Sequence, residues 1–128
     1  MRILSLIGAL LWAALIWYLS DQPAIDITPV FEHQDKFLHI MAYMVLGFFT
    51  LGAMQAGTAG YTRSQATLAI LLASLYGLAD EYHQSFVMGR DASALDLLAD
   101  ITGVLLGVGL LFLLVRRHAR QTGSVGIG

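Results

Sequence analysis

Cysteine is absent from this 128-residue chain, and proline nearly so. Without cysteine, disulfides, thiolate metal ligands and thiol nucleophiles are excluded together, and nothing marks a redox compartment. The two prolines, Pro23 and Pro29, share one polar segment, and no low-complexity run or internal repeat appears. Charge is also scarce: 12% of residues are charged, with seven Lys and Arg against nine Asp and Glu. A net charge of −2 offers no basic stripe to neutralise phosphates, which argues against nucleic acid as a partner. What remains is hydrocarbon, 57% hydrophobic with a mean hydropathy of +0.70.

A helix crossing a hydrocarbon core of about 30 Å needs about 20 apolar residues. Four stretches qualify: 3–19, 37–56, 66–87 and 95–115. The expected fold is therefore all-α, an integral membrane bundle of four transmembrane helices. Residues 1–120 form a single domain, and the Gly- and Ser-rich tail 121–128 is expected to be disordered. The first stretch ends in Trp17-Tyr18, suited to the interfacial aromatic belt, and lacks a small-residue cleavage site. A retained helix is thus expected rather than a signal peptide. Arg2, Arg63, Arg116, Arg117 and Arg120 fall on one side of this topology, Lys36 and Arg90 on the other. Five against two places both termini in the cytoplasm. All nine acidic residues and three of the four histidines then face outward.

Against that background one segment stands out. Asp80, Glu81, His83, Arg90, Asp91, Asp96 and Asp100 are seven ionisable groups within 21 residues. Each would cost roughly 2.5–3.5 kcal/mol in a bilayer unless paired or solvated, so they mark a site. Helical spacing groups them into stripes. Lys36, His39 and Tyr43 lead down to Gly47; Tyr76, Asp80, His83 and Gln84 lie beside Gly77; Asp96 and Asp100 lead to Gly103 and Gly107. In each stripe small residues lie deeper, where they allow close helix contact, and polar ones nearer the surface. Helices 2, 3 and 4 with the loop 86–94 would enclose an outward-facing polar cluster.

Three chemistries fit these residues. Crowded carboxylates cannot all ionise together, so one would act as general acid or base, with His83 or His39 as proton shuttle. The same cluster could instead bind without chemistry, Lys36 and Arg90 gripping an anionic group. Third, Asp80-x-x-His83 has the one-turn spacing of bundle metal centres, with His39, Glu81 and Asp96 as further ligands. Lys36 and Arg90 nearby oppose a cation, so no metal or cofactor is assigned. The bland readings are equally concrete. His39 and His83 would be polar glue between helices, Tyr43 and Tyr76 packing and hydrogen-bonding residues. Arg90 would pair with Asp96 or Glu81, and the glycines of the fourth helix, Gly103, Gly107 and Gly109, would be packing positions. Asp21, Asp26 and Glu32 read as a solvated loop, and the terminal arginines as topology determinants near anionic lipid headgroups. Ser85 and Ser93 supply hydroxyls, but no Ser-His constellation is evident.

The motif Asp35-Lys36 with His39 and Tyr43-x-x-x-Gly47, then Tyr76-Gly77-x-x-Asp80-Glu81-x-His83-Gln84-x-Phe86, is specific in combination. With Gly89-Arg90, Ser93, Asp96, Ala99, Gly103 and Gly107 it resembles the VanZ-like family over residues 35–110, about 60% of the chain. Met88 stands where that family usually has proline, and Asp100 where it usually has asparagine. The resemblance implies a multi-pass protein of the bacterial cytoplasmic (inner) membrane, linked to the cell envelope. The family is named for a component associated with teicoplanin resistance. The expected site has Asp80, Glu81, His83 and Asp96 as catalytic candidates, with Lys36, His39, Gln84, Arg90 and Asp100 as ligand-holding candidates. The expected partners are membrane lipids and an anionic lipid-linked or peptidoglycan-related ligand, bound at that site or, in the alternative, processed there.

Overall fold

The computed structural model describes residues 2–23, 30–55, 60–90 and 92–123, the last four by backbone alone. Asp26, Asp91, the Arg120 side chain and residues 124–128 of the tail lie outside the described residues. Four helices follow one another: α1 (Arg2–Ser20), α2 (Gln34–Ala53), α3 (Arg63–Gln84) and α4 (Ala94–Gly123). No strand occurs among the described residues. α1, α2 and α4 are long and apolar enough to cross a membrane. α3 has 22 residues but carries Asp80, Glu81, His83 and Gln84 in its last turns, which lowers its hydropathy.

Local chemistry sets the helix ends. Thr62 and Gln65 form a reciprocal capping box at the start of α3, satisfying two of the donors that every helix N-terminus leaves open. The Gln65 amide also donates to the Met54 carbonyl at 2.7 Å, tying the end of α2 to the start of α3. Ser93 caps α4 by accepting from the Asp96 N–H at 3.3 Å. Gly89 turns the preceding loop at φ +75°, a conformation open to glycine at no steric cost.

α2 and α4 form the spine. A Cβ at Gly103 would strike the Ile40 carbonyl, one at Gly107 the Met44 carbonyl, and one at Gly47 the Val104 carbonyl at 2.8 Å. Backbone therefore lies on backbone, the close approach that small residues permit between membrane helices. The contacts advance together along both helices, so α2 and α4 run parallel. Gly109, by contrast, has nothing within 4 Å of its Cβ position, so the expectation that it packs is corrected. It falls one residue past the α2-facing stripe.

α1 and α3 flank this pair. Trp12 donates through its indole N–H to the Ala42 carbonyl at 2.8 Å, and Tyr76 donates to the Ala13 carbonyl at 2.6 Å. The core collects Ile16, Tyr43, Leu46, Leu51, Ala69, Ala73, Val104 and Val108. Leu4, Leu11, Leu75 and Leu98 are among many large apolar side chains left exposed. Such an apolar exterior suits a lipid solvent, where burying hydrocarbon between helices brings no gain over leaving it in lipid.

Candidate functional site

Two polar groups occupy the end of the bundle where α2 and α4 begin and α3 ends. The first centres on Asp80, 1% exposed. Its Oδ2 accepts from the Ser20 hydroxyl at 2.8 Å, the Tyr43 hydroxyl at 3.2 Å and the Gln84 amide at 3.2 Å. Gln84 also donates to the Ser20 Oγ at 3.0 Å, closing the ring. Asp80 Oδ1 is buried with no hydrogen-bond partner. Ser20 comes from the last residue of α1, so α1 is a fourth wall of a site that the sequence confined to α2, α3, α4 and the loop.

The second group pairs the α2 stripe with the α4 stripe. Lys36 Nζ lies 2.5 Å from Asp96 Oδ1 and 2.6 Å from Asp35 Oδ2. One turn deeper, His39 Nδ1 lies 2.8 Å from Asp100 Oδ1 and 3.9 Å from Glu81 Oε1. Glu81 accepts the Ser93 N–H through Oε2 at 2.9 Å, while its Oε1 is buried without a hydrogen-bond partner. Asp100 Oδ2 is likewise buried and unpartnered. A Cβ at Gly77 would sit 3.2 Å from this oxygen, so the missing side chain of Gly77 makes room for Asp100. Ligating atoms of His39, Glu81 and Asp96 all lie within 4.8 Å of one another.

Two expected members have partners outside both polar groups. His83 turns towards α1: its ring stacks on Trp17 at a centroid distance of 4.2 Å, and its Nε2 lies 3.1 Å from Asp21 Oδ1. Asp80 and His83 thus face different partners and do not form a joint ligand pair. Arg90 reaches neither Asp96 nor Glu81. It donates from Nε to the Gln22 carbonyl and from Nη2 to the Leu19 carbonyl, both at 3.0 Å, and so caps the C-terminus of α1. A cation there complements the open carbonyls and the negative end of the helix dipole. Ser93 serves as a helix cap, and Ser85 donates to the Tyr82 carbonyl at 2.6 Å, so neither is poised as a nucleophile.

A cavity of about 260 Å³ opens between the C-terminal end of α1 and the first half of α2. Ile16, Leu19, Leu38 and Ala42 supply apolar walls; Ser20, His39, Tyr43 and Gln84 supply polar ones; the carboxylates of Asp35 and Asp80 and the guanidinium of Arg90 line it too. An apolar cleft with a few convergent polar groups is the usual form of a small-molecule site.

The model of the family described as VanZ/LLP1 matches residues 5–115, and so takes in α2 and α3, most of α1 and α4, and both polar groups. This chain belongs to the VanZ/LLP1 family. Membership joins with the apolar helices to make it a VanZ-like, multi-pass membrane protein. Neither a curated protein nor a solved structure matches the chain.

Proposed function

We propose that this VanZ-like protein lies in the bacterial inner membrane with both termini cytoplasmic and binds an anionic, lipid-linked or peptidoglycan-related envelope ligand. The outward-facing cavity between α1 and α2 is the binding site, and a contribution to glycopeptide (teicoplanin) resistance is its cellular role. The observation that carries this reading is the cavity's mixed lining. Ile16, Leu19, Leu38 and Ala42 suit a lipid chain, while Arg90 keeps its charge at the wall, bonded among the described residues only to backbone carbonyls. Two of its five N–H donors are so used, leaving a guanidinium able to grip phosphate. Ala42→Leu fills the cavity without touching a polar group. The test measures binding of a polyprenyl phosphate to the detergent-purified protein. Wild type should bind, and Ala42→Leu should weaken binding by at least about tenfold, equivalent to ~1.4 kcal/mol. Equal binding by both proteins would move the ligand elsewhere.

One observation favours a second, catalytic reading. Asp80 lines the cavity, and its buried Oδ1 lacks a donor. Leaving an acceptor so costs about 1–3 kcal/mol, and a carboxylate oxygen within reach of a ligand can take a proton from it. Under this reading Asp80→Asn binds the lipid normally yet fails to support the envelope phenotype. Under the binding reading Asp80→Asn supports both.

A further inference from the structure

The second polar group carries more negative charge than its own residues balance. Glu81, Asp96 and Asp100 are buried or nearly so, and against them stands the Lys36 ammonium, which Asp35 shares. Three buried carboxylates, with Asp35 a fourth at the rim, thus crowd one ammonium and one imidazole. Removing such charges from water is expensive unless they are paired. Arg90 does not pair with them, because it faces the carbonyls of α1 instead. Glu81 Oε1 is buried, has no hydrogen-bond partner and points at the ring of His39 from 3.9 Å.

We propose that His39, Glu81 and Asp96 form a binding site for one divalent transition-metal ion. Bonds of about 2.1 Å allow two donors on one ion to lie up to about 4.2 Å apart. The His39–Glu81 pair already satisfies that limit, and the three-atom set spans no more than 4.8 Å. A small inward turn of Asp96 closes the triangle. That turn draws Asp96 away from Lys36, which keeps Asp35 as a partner. One imidazole with two carboxylates favours Mn²⁺ or Zn²⁺ over Mg²⁺ or Ca²⁺, which take oxygen ligands. The ion would bind Nδ1 in place of the proton shared with Asp100 Oδ1 at 2.8 Å, which leaves Asp100 as one more acidic neighbour of that nitrogen. This set differs from the Asp80-x-x-His83 spacing in the sequence, whose two side chains part company. The ion's use rests on the function proposed above: it would let an acidic site accept an anionic headgroup. Its presence does not.

The full-length protein in detergent is stripped with EDTA and titrated with Mn²⁺ or Zn²⁺ alone, without lipid, by calorimetry and by elemental analysis after desalting. We expect about one ion per chain, bound at least tenfold more weakly by Glu81→Gln and unchanged in His83→Ala. Lys36→Met, which removes the competing cation, should bind the ion several-fold more tightly, an outcome that a purely structural ion pair does not produce. Should Glu81→Gln not fold, broadening of the Mn²⁺ paramagnetic resonance signal by wild type and by Lys36→Met decides the matter. No stoichiometric ion in wild type, equal loss in His83→Ala, or preference for Ca²⁺ overturns the site. Polyprenyl phosphate binding, repeated with and without EDTA, separates the two proposals. Ion uptake with no lipid binding sinks the function and leaves the metal site standing.

Discussion

His39 and Asp100 meet across the α2–α4 interface at 2.8 Å, and Asp100 is fully buried there. With the proton on His39 Nδ1, the bond needs only an oxygen on residue 100 and no charge on that oxygen. Gly77 leaves space beside the second oxygen, which has no hydrogen-bond partner.

Asp100→Asn therefore keeps the acceptor and removes a buried charge. Its amide group, placed at the open oxygen, adds a donor near a site rich in acceptors. We expect unchanged or higher thermal stability in detergent for Asp100→Asn. Asp100→Ala strands the His39 N–H and should lose about 1–3 kcal/mol. A large loss in Asp100→Asn would mean that the ionised form is itself required.

The two stripes that meet here were legible in the sequence because helical periodicity fixes which residues share a face. Lys36 and His39 lie one turn apart on α2; Asp96 and Asp100 lie one turn apart on α4. Parallel helices with glycines below can only bring them together in order. The same reasoning failed for His83. Residues three apart on a helix differ by about 60° in direction, so Asp80 can face Tyr43 and Ser20 while His83 faces Trp17 and Asp21. Ser20 was missed because a serine closing an uncharged helix carries no signal of its own. The alternative pairing of Arg90 with Asp96 or Glu81 does not form: charge patterns suggest carboxylate partners, whereas the carbonyls of Leu19 and Gln22 belong to the backbone and leave no mark in the sequence.

The Arg90 contact predicts a local effect rather than a global one. The guanidinium holds two carbonyls at the end of α1 at once; an ammonium is a point charge and cannot fork in the same way. Arg90→Ala should raise amide hydrogen exchange in the last turn of α1 and lower stability by about 1.5–3 kcal/mol, the range for hydrogen bonds to charged groups. Arg90→Lys should recover less than half of that loss. Both effects should appear without any ligand present. If exchange at α1 is unchanged in Arg90→Ala while polyprenyl phosphate binding is lost, Arg90 serves the ligand and not the helix.

The glycines of α4 make the last prediction, because their neighbours differ so sharply. At Gly103 and Gly107 an added methyl group meets the carbonyls of Ile40 and Met44. Those atoms belong to helical backbone and cannot rotate aside, so α2 and α4 must separate along their length. That separation would also pull Lys36 from Asp96 and His39 from Asp100, since the same helix pair carries both. Gly103→Ala and Gly107→Ala should each cost more than about 3 kcal/mol, at or beyond the upper range for overpacking. At Gly109 the Cβ position is open, and alanine is favoured over glycine inside a helix by about 0.8–1 kcal/mol in water. Gly109→Ala should thus be neutral or stabilising. Thermal melting of the three variants in one detergent checks the contrast. Comparable melting of all three would mean that α2 and α4 are not held backbone to backbone, and that the polar ladder above the glycines is not set by that contact.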